Sequence, residues 1–162
     1  MQSPLIVPAE LDDASAILEL QRQAYQAEAL LYNDWSIPPL TQSLAQLMDE
    51  FQDSVVLKAV SGTSLLGSVR GRAADGVAHI GRLIVAPAAQ RRGIGTALLR
   101  GIESAFPHVQ RFELFTGSKS EGNIRLYRTH GYAISHERAL SPSVTLVYMS
   151  KANDGRPDLR RS

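Results

Sequence analysis

The sequence predicts a single α/β domain in which strands and helices follow one another along the chain. An apolar run with Ile80, Ile84 and Val85 precedes a short polar loop that contains Gly93 and Gly95. Apolar residues then recur at the spacing of a buried helix face, and they are Ile94, Ala97, Leu98, Gly101, Ile102 and Ala105. With 162 residues, of which 44% are hydrophobic, the chain fits one globular domain with one core.

Before the glycine loop, the pattern predicts a short strand and two helices. The strand covers 5–8, and Asp12 or Asp13 can cap the helix that follows. The inward positions of this first helix are Ala14, Ile17, Leu18, Ala24 and Tyr25. The helical pattern breaks at 32–39, and Thr41 can cap a second helix. The apolar stripe of that second helix is Leu44, Leu47, Met48 and Phe51.

Three strands are predicted between the second helix and the glycine loop. They cover 55–60, 65–71 and 77–85, with turns at Gly62 and at Asp75-Gly76. An Asp-Gly pair between two apolar runs is typical of a tight hairpin turn, because both of its residues tolerate a positive φ. We therefore expect these strands to be antiparallel neighbours.

After a helix at 94–106, the pattern predicts a strand at 111–116, a short helix and two closing strands. Asn123 is placed as the N-cap of the short helix and Gly131 as its C-terminal cap. The closing strands are expected at about 132–138 and 144–149. We expect one domain over residues 1–150 and a polar, basic tail over residues 151–162.

The glycine loop carries the strongest functional signal. In Gln90-Arg91-Arg92-Gly93-Ile94-Gly95 the glycines precede and open a helix, whose first N–H groups are unpaired and attract anions. Glycine has no Cβ, so a phosphate group can approach the backbone. A Rossmann fingerprint would need a glycine where Leu98 stands, and no Gly-Lys-Ser/Thr string for a Walker loop occurs. The loop therefore predicts a phosphorylated ligand of another kind.

Two motifs together resemble the GNAT N-acetyltransferase superfamily. The loop is similar to its Gln/Arg-x-x-Gly-x-Gly signature, which holds the pyrophosphate of coenzyme A. The segment 123–132, Asn-Ile-Arg-Leu-Tyr-Arg-Thr-His-Gly-Tyr, closely resembles its pattern Asn-x-x-x-Tyr-x-x-x-Gly-Tyr. The motifs stand in the right order, about thirty residues apart. On these motifs the chain is identified as a GNAT member over roughly residues 3–150.

The resemblance implies a mixed, mainly antiparallel sheet of six to seven strands, splayed between the fourth and fifth strands and flanked by about four helices. Pantetheine would enter the gap and bind backbone groups of the fourth strand, and N–H groups of 91–96 would bind the pyrophosphate. The expected coenzyme-binding residues are Leu83, Ile84, Val85, Gln90, Arg91, Arg92, Gly93, Ile94, Gly95, Thr96, Asn123 and Tyr127.

The resemblance also implies transfer of an acetyl group from acetyl-CoA to a primary amine by direct attack in a ternary complex. Tyr127 would donate a proton to the departing thiolate; packing beneath the coenzyme is the alternative. Many family members carry a glutamate where His79 stands, and an imidazole can also accept a proton near neutral pH. His79 is thus the expected base, or else a hydrogen-bonded structural residue. Strand alternation places 79, 81, 83 and 85 on one face. The other carboxylates considered are Glu28, Asp34 and Glu113.

The expected acceptor site lies at the break between the first two helices. Glu28, Tyr32, Asp34 and Trp35 combine acids with aromatics, which suits a cationic amine with an apolar body. A solvated loop is the alternative. The acceptor could also be a protein N-terminus or lysine, the acyl group could be longer than acetyl, and the domain could bind acyl-CoA without turnover. Dimerisation is common in the family, so a homodimer is also considered.

Composition limits the remaining classes of function. The net charge of +1 gives no electrostatic basis for binding nucleic acid or an anionic membrane. The chain has no cysteine, which excludes a disulfide framework and a thiolate nucleophile. His108 and His136 have no partners at metal-ligand spacing, so no metal is expected. Because no signal peptide and no long apolar run is apparent, a cytoplasmic location is expected.

Overall fold

The computed structural model describes residues 4–155, in which seven strands form one mixed sheet. The strands are β1 (Leu5–Pro8), β2 (Val55–Ser61), β3 (Ser64–Ala74), β4 (Val77–Val85), β5 (Arg111–Gly117), β6 (Ala133–Ala139) and β7 (Thr145–Ala152). The helices are α1 (Ala14–Ala24), α2 (Gln26–Tyr32), α3 (Pro38–Thr41), α4 (Leu44–Glu50), α5 (Ile94–Ser104) and α6 (Glu121–Thr129).

The sheet order is β1-β2-β3-β4-β5-β7-β6, and every neighbouring pair is antiparallel except β4 and β5. The parallel pairing of β4 with β5 covers only Val77–His79 opposite Arg111–Glu113. Both strands continue past this pairing, so they separate toward their carboxyl ends. The predicted mixed sheet, splayed between its fourth and fifth strands, is confirmed.

A bulge in β4 shifts its pairing with β3. Arg82 and Leu83 together oppose the single residue Val69. Arg82 has a φ of 52°, in the left-handed region that non-glycine residues seldom adopt. The bulge therefore bends β4 close to the point where β4 and β5 separate.

The bulge also changes which residues of β4 share a face. A Cβ on Gly71 or on Gly67 would meet side chains of α5, so both glycines face that helix. Gly71 pairs with Ile80 and Gly67 pairs with Val85. Because directly opposed residues share a face, Ile80 and Val85 both face α5, although residues five positions apart lie on opposite faces of a regular strand. The predicted common face of 79, 81, 83 and 85 is therefore wrong, and His79 faces away from α5.

Helix α5 covers one face of the sheet and supplies the centre of the core. Its apolar residues Leu98, Leu99 and Ile102 are fully buried against β2, β3 and β4. Burying one such side chain stabilises the fold by about 1.5–3 kcal/mol. The predicted helical stripe is confirmed at Ile94, Leu98 and Ile102, and their burial fixes where the first turn of α5 lies. Ala105, in contrast, is exposed after the end of α5, and the burial of Leu99 was not predicted.

Two helix starts differ from the sequence prediction. Ser43, not Thr41, caps α4: the Gln46 N–H donates to Ser43 Oγ (3.1 Å) and the Ser43 N–H donates to Gln46 Oε1 (2.9 Å). Thr41 instead ends the single turn of α3. The N-cap of α6 is Ser120, and Asn123 lies inside that helix. The predicted caps at Thr41 and Asn123 are therefore wrong.

The remaining elements agree with the pattern more closely. Asp13 stands at the N-cap position of α1, although its carboxylate accepts a hydrogen bond from the Glu10 N–H (2.8 Å). Gly131, just after α6, has a φ of 93°, as a C-terminal glycine cap requires. Strand β7 extends through Lys151 to Ala152, so the predicted tail begins with strand residues. Its residues 156–162 lie outside the described part of the chain.

Candidate active site

Two cavities meet where β4 and β5 separate. The first, which we name the loop cavity, has a volume of about 540 Å³ and lies between the end of β4, the glycine loop and the start of α5. The second, the inner cavity, has a volume of about 170 Å³ and lies between β4, β5 and the α2–α3 segment. Both cavities are lined by Tyr25, Glu28, Leu83 and Asn123. The two cavities therefore adjoin at these shared residues, a boundary that we name the junction.

The loop cavity contains most of the residues that the glycine-loop resemblance singled out. Those that line it are Leu83, Ile84, Val85, Gln90, Arg91, Gly93, Ile94, Gly95, Thr96 and Asn123. Arg92 does not line it, and Tyr127 lines the inner cavity instead. The structure therefore brings this set together in space, while its contact with a coenzyme stays a prediction.

The backbone of the glycine loop turns sharply before α5. Arg91 has a φ of 65° and Gly93 a φ of 78°, both left-handed. The Ala97 N–H already donates to the Gly93 carbonyl (3.0 Å), so the three preceding N–H groups of α5 have no partner within the helix. Unpaired N–H groups at the positive end of a helix dipole attract anions, so this backbone is suited to the predicted anion site, which stays a prediction.

We expect Gly93→Ala to lower the free energy of unfolding by about 1–2 kcal/mol, because alanine adopts the left-handed conformation at a cost. We also expect weaker acetyl-CoA binding, since the loop backbone would have to shift. Gly122→Ala is the matched control: it lies in α6 with no atom within 4 Å of its added Cβ. In this control the free energy of unfolding should rise by about 1 kcal/mol instead. Urea unfolding measures the stability of the two variants, and calorimetric titration measures their affinity for acetyl-CoA. Equal acetyl-CoA affinity in Gly93→Ala and the parent protein would contradict the anion-site assignment.

The inner cavity is mostly apolar and aromatic. Its walls include Tyr25, Tyr32, Ile37, Pro38, Pro39, Phe115, Tyr127, Leu140, Val144 and Leu146. Two of its lining residues carry charge, Glu28 and Arg82. A small apolar chamber with a few polar groups is typical of a site that binds and orients a small molecule.

Tyr127 is buried and reaches the inner cavity from α6. Its ring packs edge-on against Tyr132, with 5.9 Å between the ring centroids. Burial raises the pKa of Tyr127 well above its usual range, and the charges of Tyr25 and Glu28 act in the same direction. The phenol therefore stays protonated at neutral pH and can donate a hydrogen bond into the cavity.

Contacts from the loop after β5 hold α2 in place. The Ser120 hydroxyl donates a hydrogen bond to the Glu28 carboxylate, and the Lys119 N–H donates to the Tyr32 phenol oxygen (2.8 Å). A Cβ on Gly117 would overlap that phenol, so glycine is required for the approach. Glu28 and Tyr32, both predicted for the acceptor site, thus line the inner cavity.

Other predicted site residues lie outside both cavities. His79 is exposed in the paired part of β4, opposite Arg72 and Glu113. Asp34 accepts hydrogen bonds from the N–H (2.9 Å) and hydroxyl (2.6 Å) of Ser36 and from the Ser143 hydroxyl (2.7 Å).

The Ser36 and Ser143 hydroxyls lower the pKa of Asp34, which marks this carboxylate as a turn-stabilising group. Trp35 is 54% exposed. The structure therefore does not bring His79, Asp34 or Trp35 to the candidate site.

Arg82 was not predicted as a site residue, and Tyr25 was predicted to belong to the core. Arg82 sits at the bulge, and its buried Nε has no hydrogen-bond acceptor among the described residues. Arg70 lies behind it on β3 and is only 4% exposed. An arginine within an apolar strand was a visible signal, because buried charges need partners and are rarely placed without a role.

The candidate site is built from backbone N–H groups, phenols, the Glu28 carboxylate and the guanidiniums of Arg82 and Arg91. Within residues 4–155, no group of three or more histidine, aspartate or glutamate side chains could hold a metal ion. In the same part of the chain, none of the helices is long and apolar enough to cross a membrane.

Comparisons with known proteins agree with this architecture. The ribosomal-protein-S18-alanine N-acetyltransferase from Escherichia coli superposes with a TM-score of 0.79 at 15% identity, covering 99% of both chains. The PaiA N-acetyltransferase from Thermoplasma acidophilum, solved with coenzyme A, gives 0.77 at 18% identity, over 93% of this chain and 99% of that one. The YncA protein from Salmonella typhimurium, solved with acetyl-CoA, gives a TM-score of 0.72 at 21% identity, over 98% of this chain and 99% of that one. At such low sequence identities, the structural similarity shows that the fold is shared and nothing more.

No curated protein sequence matches this chain significantly. The family itself is shown by sequence, because the model of the Acetyltransferase (GNAT) family matches residues 14–132, most of the chain and both glycine motifs. The chain therefore belongs to the GNAT acetyltransferase family.

Proposed function

We propose that this chain is an N-acetyltransferase that moves the acetyl group of acetyl-CoA to a primary amine by direct attack in a ternary complex. The observation that carries the proposal is the junction of the two cavities. A cavity built around a helix N-terminus adjoins, at Glu28 and Leu83, a small apolar chamber that is lined by the buried Tyr127 phenol. Such an arrangement holds a phosphorylated donor and an acceptor side by side.

The loop cavity would hold the coenzyme. The N–H groups at the start of α5 would bind the pyrophosphate, with Arg91 nearby on the rim. Beyond His79, β4 is no longer paired with β5, so backbone groups near Leu83 and Val85 are open to a pantetheine arm. Two of the structural relatives described above contain coenzyme A or acetyl-CoA, which supports this assignment.

The chemical step needs three groups from the chain. The amine nitrogen attacks the thioester carbonyl carbon, and a backbone N–H of β4 would stabilise the negative charge on the oxygen. The C–S bond then breaks and the new amide keeps the acetyl group. The Tyr127 phenol donates its proton toward the departing sulfur, which leaves as coenzyme A thiol. The proton lost by the amine must go to a base at the junction.

We propose Glu28 as that base, in place of His79, because Glu28 lines both cavities. Glu28→Gln keeps the shape of the side chain and an oxygen for the Ser120 hydroxyl, but cannot take a proton. We expect kcat/KM at neutral pH to fall about 100-fold in Glu28→Gln, the usual value of a general base. His79→Ala, the control, should remain near the parent value.

A pH–rate profile separates the two candidates. If His79→Ala flattens the acidic limb of the profile while Glu28→Gln leaves turnover intact, His79 is the base and Glu28 only binds the acceptor. The converse result assigns the base to Glu28.

The proposal as a whole is tested first by calorimetric titration with acetyl-CoA, free coenzyme A, succinyl-CoA and NADH. We expect micromolar binding of acetyl-CoA and none of NADH. Thiol release is then followed with a panel of primary amines. Binding without thiol release from any amine would favour a non-catalytic acyl-CoA sensor. No binding of any coenzyme A species would overturn the proposal.

A further inference from the structure

The charged groups of the inner cavity are arranged in a definite order. Glu28 lies at the junction with the loop cavity, whereas Arg82 lines the inner cavity alone. The remaining lining residues are uncharged. A bound acceptor therefore meets a carboxylate at the end nearer the thioester and a guanidinium elsewhere in the chamber.

Arg82 is held in this position with part of its hydrogen-bonding capacity unused. Its Nε is buried and makes no hydrogen bond within the described part of the chain, although the Tyr25 phenol lies close enough for a side-chain hydrogen bond with Arg82 to lower the pKa of Tyr25. The β4 bulge and the left-handed backbone at Arg82 place the side chain there. Its neighbour is the Tyr25 phenol: burial raises the pKa of Tyr25, while the Arg82 charge acts in the opposite direction. A buried donor without an acceptor is destabilising, so a ligand acceptor at this point would be bound favourably.

A second arginine adds positive charge behind Arg82. Arg70 Nη2 donates to Gln21 Oε1 (3.0 Å) and Gln42 Oε1 (3.1 Å), and its ion pair with Glu50 spans 3.3 Å. Arg70 Nη1 is buried and has no acceptor among the described residues.

Burial lowers the pKa of Arg70 to about 10, and the charge of Arg82 contributes to this shift although Glu50 opposes it. Arg70 is nevertheless charged at neutral pH. Arg70 pairs with Glu50, which does not line the inner cavity, whereas Arg82 forms no ion pair among the described residues. A carboxylate placed beside Arg82 would supply the ion-pair partner that Arg82 lacks, while the Glu28 carboxylate of the same cavity suits a cationic group.

The size of the inner cavity limits what the negative group belongs to. Its volume of about 170 Å³ is close to that of a cavity of about 150 Å³ that holds one benzene molecule. The walls formed by Ile37, Pro39 and Leu146 are apolar. The chamber therefore suits a small molecule with an apolar body, not an extended polyamine.

We infer that the acceptor is a free amino acid with an apolar side chain, whose carboxylate binds Arg82 and whose amine lies at the junction beside Glu28. The inference rests on the proposed function and specifies its acceptor. A planar guanidinium is suited to bind a carboxylate through paired hydrogen bonds. A protein N-terminus or a lysine side chain lacks a carboxylate next to its amine, so the Arg82 charge would remain without a partner.

Binding and turnover are measured separately to test this inference. Leucine, methionine and phenylalanine are titrated into the protein saturated with coenzyme A, each beside its carboxamide, in which the carboxylate charge is removed. The same pairs are compared by thiol release with acetyl-CoA. We expect at least one amino acid to be preferred over its amide by about 10- to 150-fold, the value of a charged hydrogen bond.

Three arginine variants test whether Arg82 causes the preference for the amino acid over its carboxamide. Arg82→Met should reduce the acid-to-amide ratio toward one by raising KM for the acid, and Arg82→Lys should restore part of it. Arg72→Met is the control, because Arg72 on β3 is exposed and pairs with Asp53 outside the cavity; it should leave the ratio unchanged.

The outcomes distinguish this inference from the proposed function. Acid-selective binding that depends on Arg82 supports the inference even where thiol release fails, and such a failure would count against the proposed catalysis alone. Equal binding or equal turnover of acids and amides, or the absence of binding by all three acids, would overturn the inference while leaving acetyl transfer to other amines intact.

Discussion

Tyr127→Phe is expected to lower kcat about 100-fold or more, with acetyl-CoA bound as tightly as in the parent protein. The phenol is the buried proton donor in the inner cavity, and its loss leaves the departing thiolate without a hydrogen bond. The ring itself remains, so packing against Tyr132 and the cavity wall is preserved. Saturating thiol-release assays give kcat, and calorimetry gives the dissociation constant of acetyl-CoA.

Tyr132→Phe is the matched control for this change. Tyr132 is a buried tyrosine in contact with Tyr127, but its hydroxyl donates to Glu103 (2.7 Å) and it lines neither cavity. Removing that hydroxyl should lower the free energy of unfolding by about 1.5–3 kcal/mol without changing kcat. A Tyr127→Phe protein with normal kcat and weakened acetyl-CoA binding would show that Tyr127 packs under the coenzyme and does not act as an acid.

The raised pKa of Tyr127 also predicts how kcat depends on pH. Burial raises the pKa of the Tyr127 phenol above its usual value of about 10. Ionisation of Tyr127 should therefore not reduce kcat between pH 7 and about 10. A fall in kcat near pH 8 that disappears in Tyr127→Phe would contradict a buried, protonated donor.

The features that the sequence predicted well are those set by neighbouring residues. The period of apolar residues after Gly93 is local, and it defines both the buried face of α5 and the position of its free N–H groups. The turns at Gly62 and Asp75-Gly76 are also local, and the structure shows positive φ at all three residues. Nothing distant is needed to specify these elements.

Features that depend on strand pairing were not accessible in the same way. A bulge exists only relative to a partner strand, so counting residues along β4 could not reveal that Arg82 and Leu83 share one position opposite Val69. The error carried over to function, because it placed His79 on the same face as Val85. Strand alternation also gave no reason to place Arg82 in a cavity, although an arginine within an apolar strand is a signal that can be seen in the sequence.

The errors at helix starts have a different origin. Thr41 and Asn123 are good N-cap residues, but better-placed serines compete with them nearby. At α4 the competing signal was visible: Ser43 and Gln46 form the Ser-x-x-Gln pattern of a capping box. At α6 the N-cap Ser120 makes no capping hydrogen bond and bonds to Glu28 instead, so tertiary contacts fix this start. Asn123 consequently faces Thr116 and the cavity junction.

Gly67→Ala is expected to lower the free energy of unfolding by about 1–3 kcal/mol and to weaken acetyl-CoA binding. An added Cβ would lie 2.6 Å from the Ile84 carbonyl oxygen and 2.9 Å from Leu98 Cδ1. The Ile84 oxygen belongs to the backbone of β4 and cannot rotate away, so β4 and α5 must move apart. Because Ile84 and the α5 residue Ile94 both line the loop cavity, that movement would disturb the helix N-terminus proposed to bind the pyrophosphate.

Gly71→Ala separates the two effects, because it crowds the other end of the same helix. Its Cβ would meet Phe106 at 2.8 Å and Ile102 at 2.9 Å, and both contacts are to side chains far from the loop cavity. Urea unfolding should show a loss of stability in both variants, whereas calorimetry should show weaker acetyl-CoA binding only in Gly67→Ala. If both variants bind acetyl-CoA as tightly as the parent protein, the position of α5 against β4 does not control the anion site. The loop backbone at Arg91 and Gly93 would then determine the geometry of that site by itself.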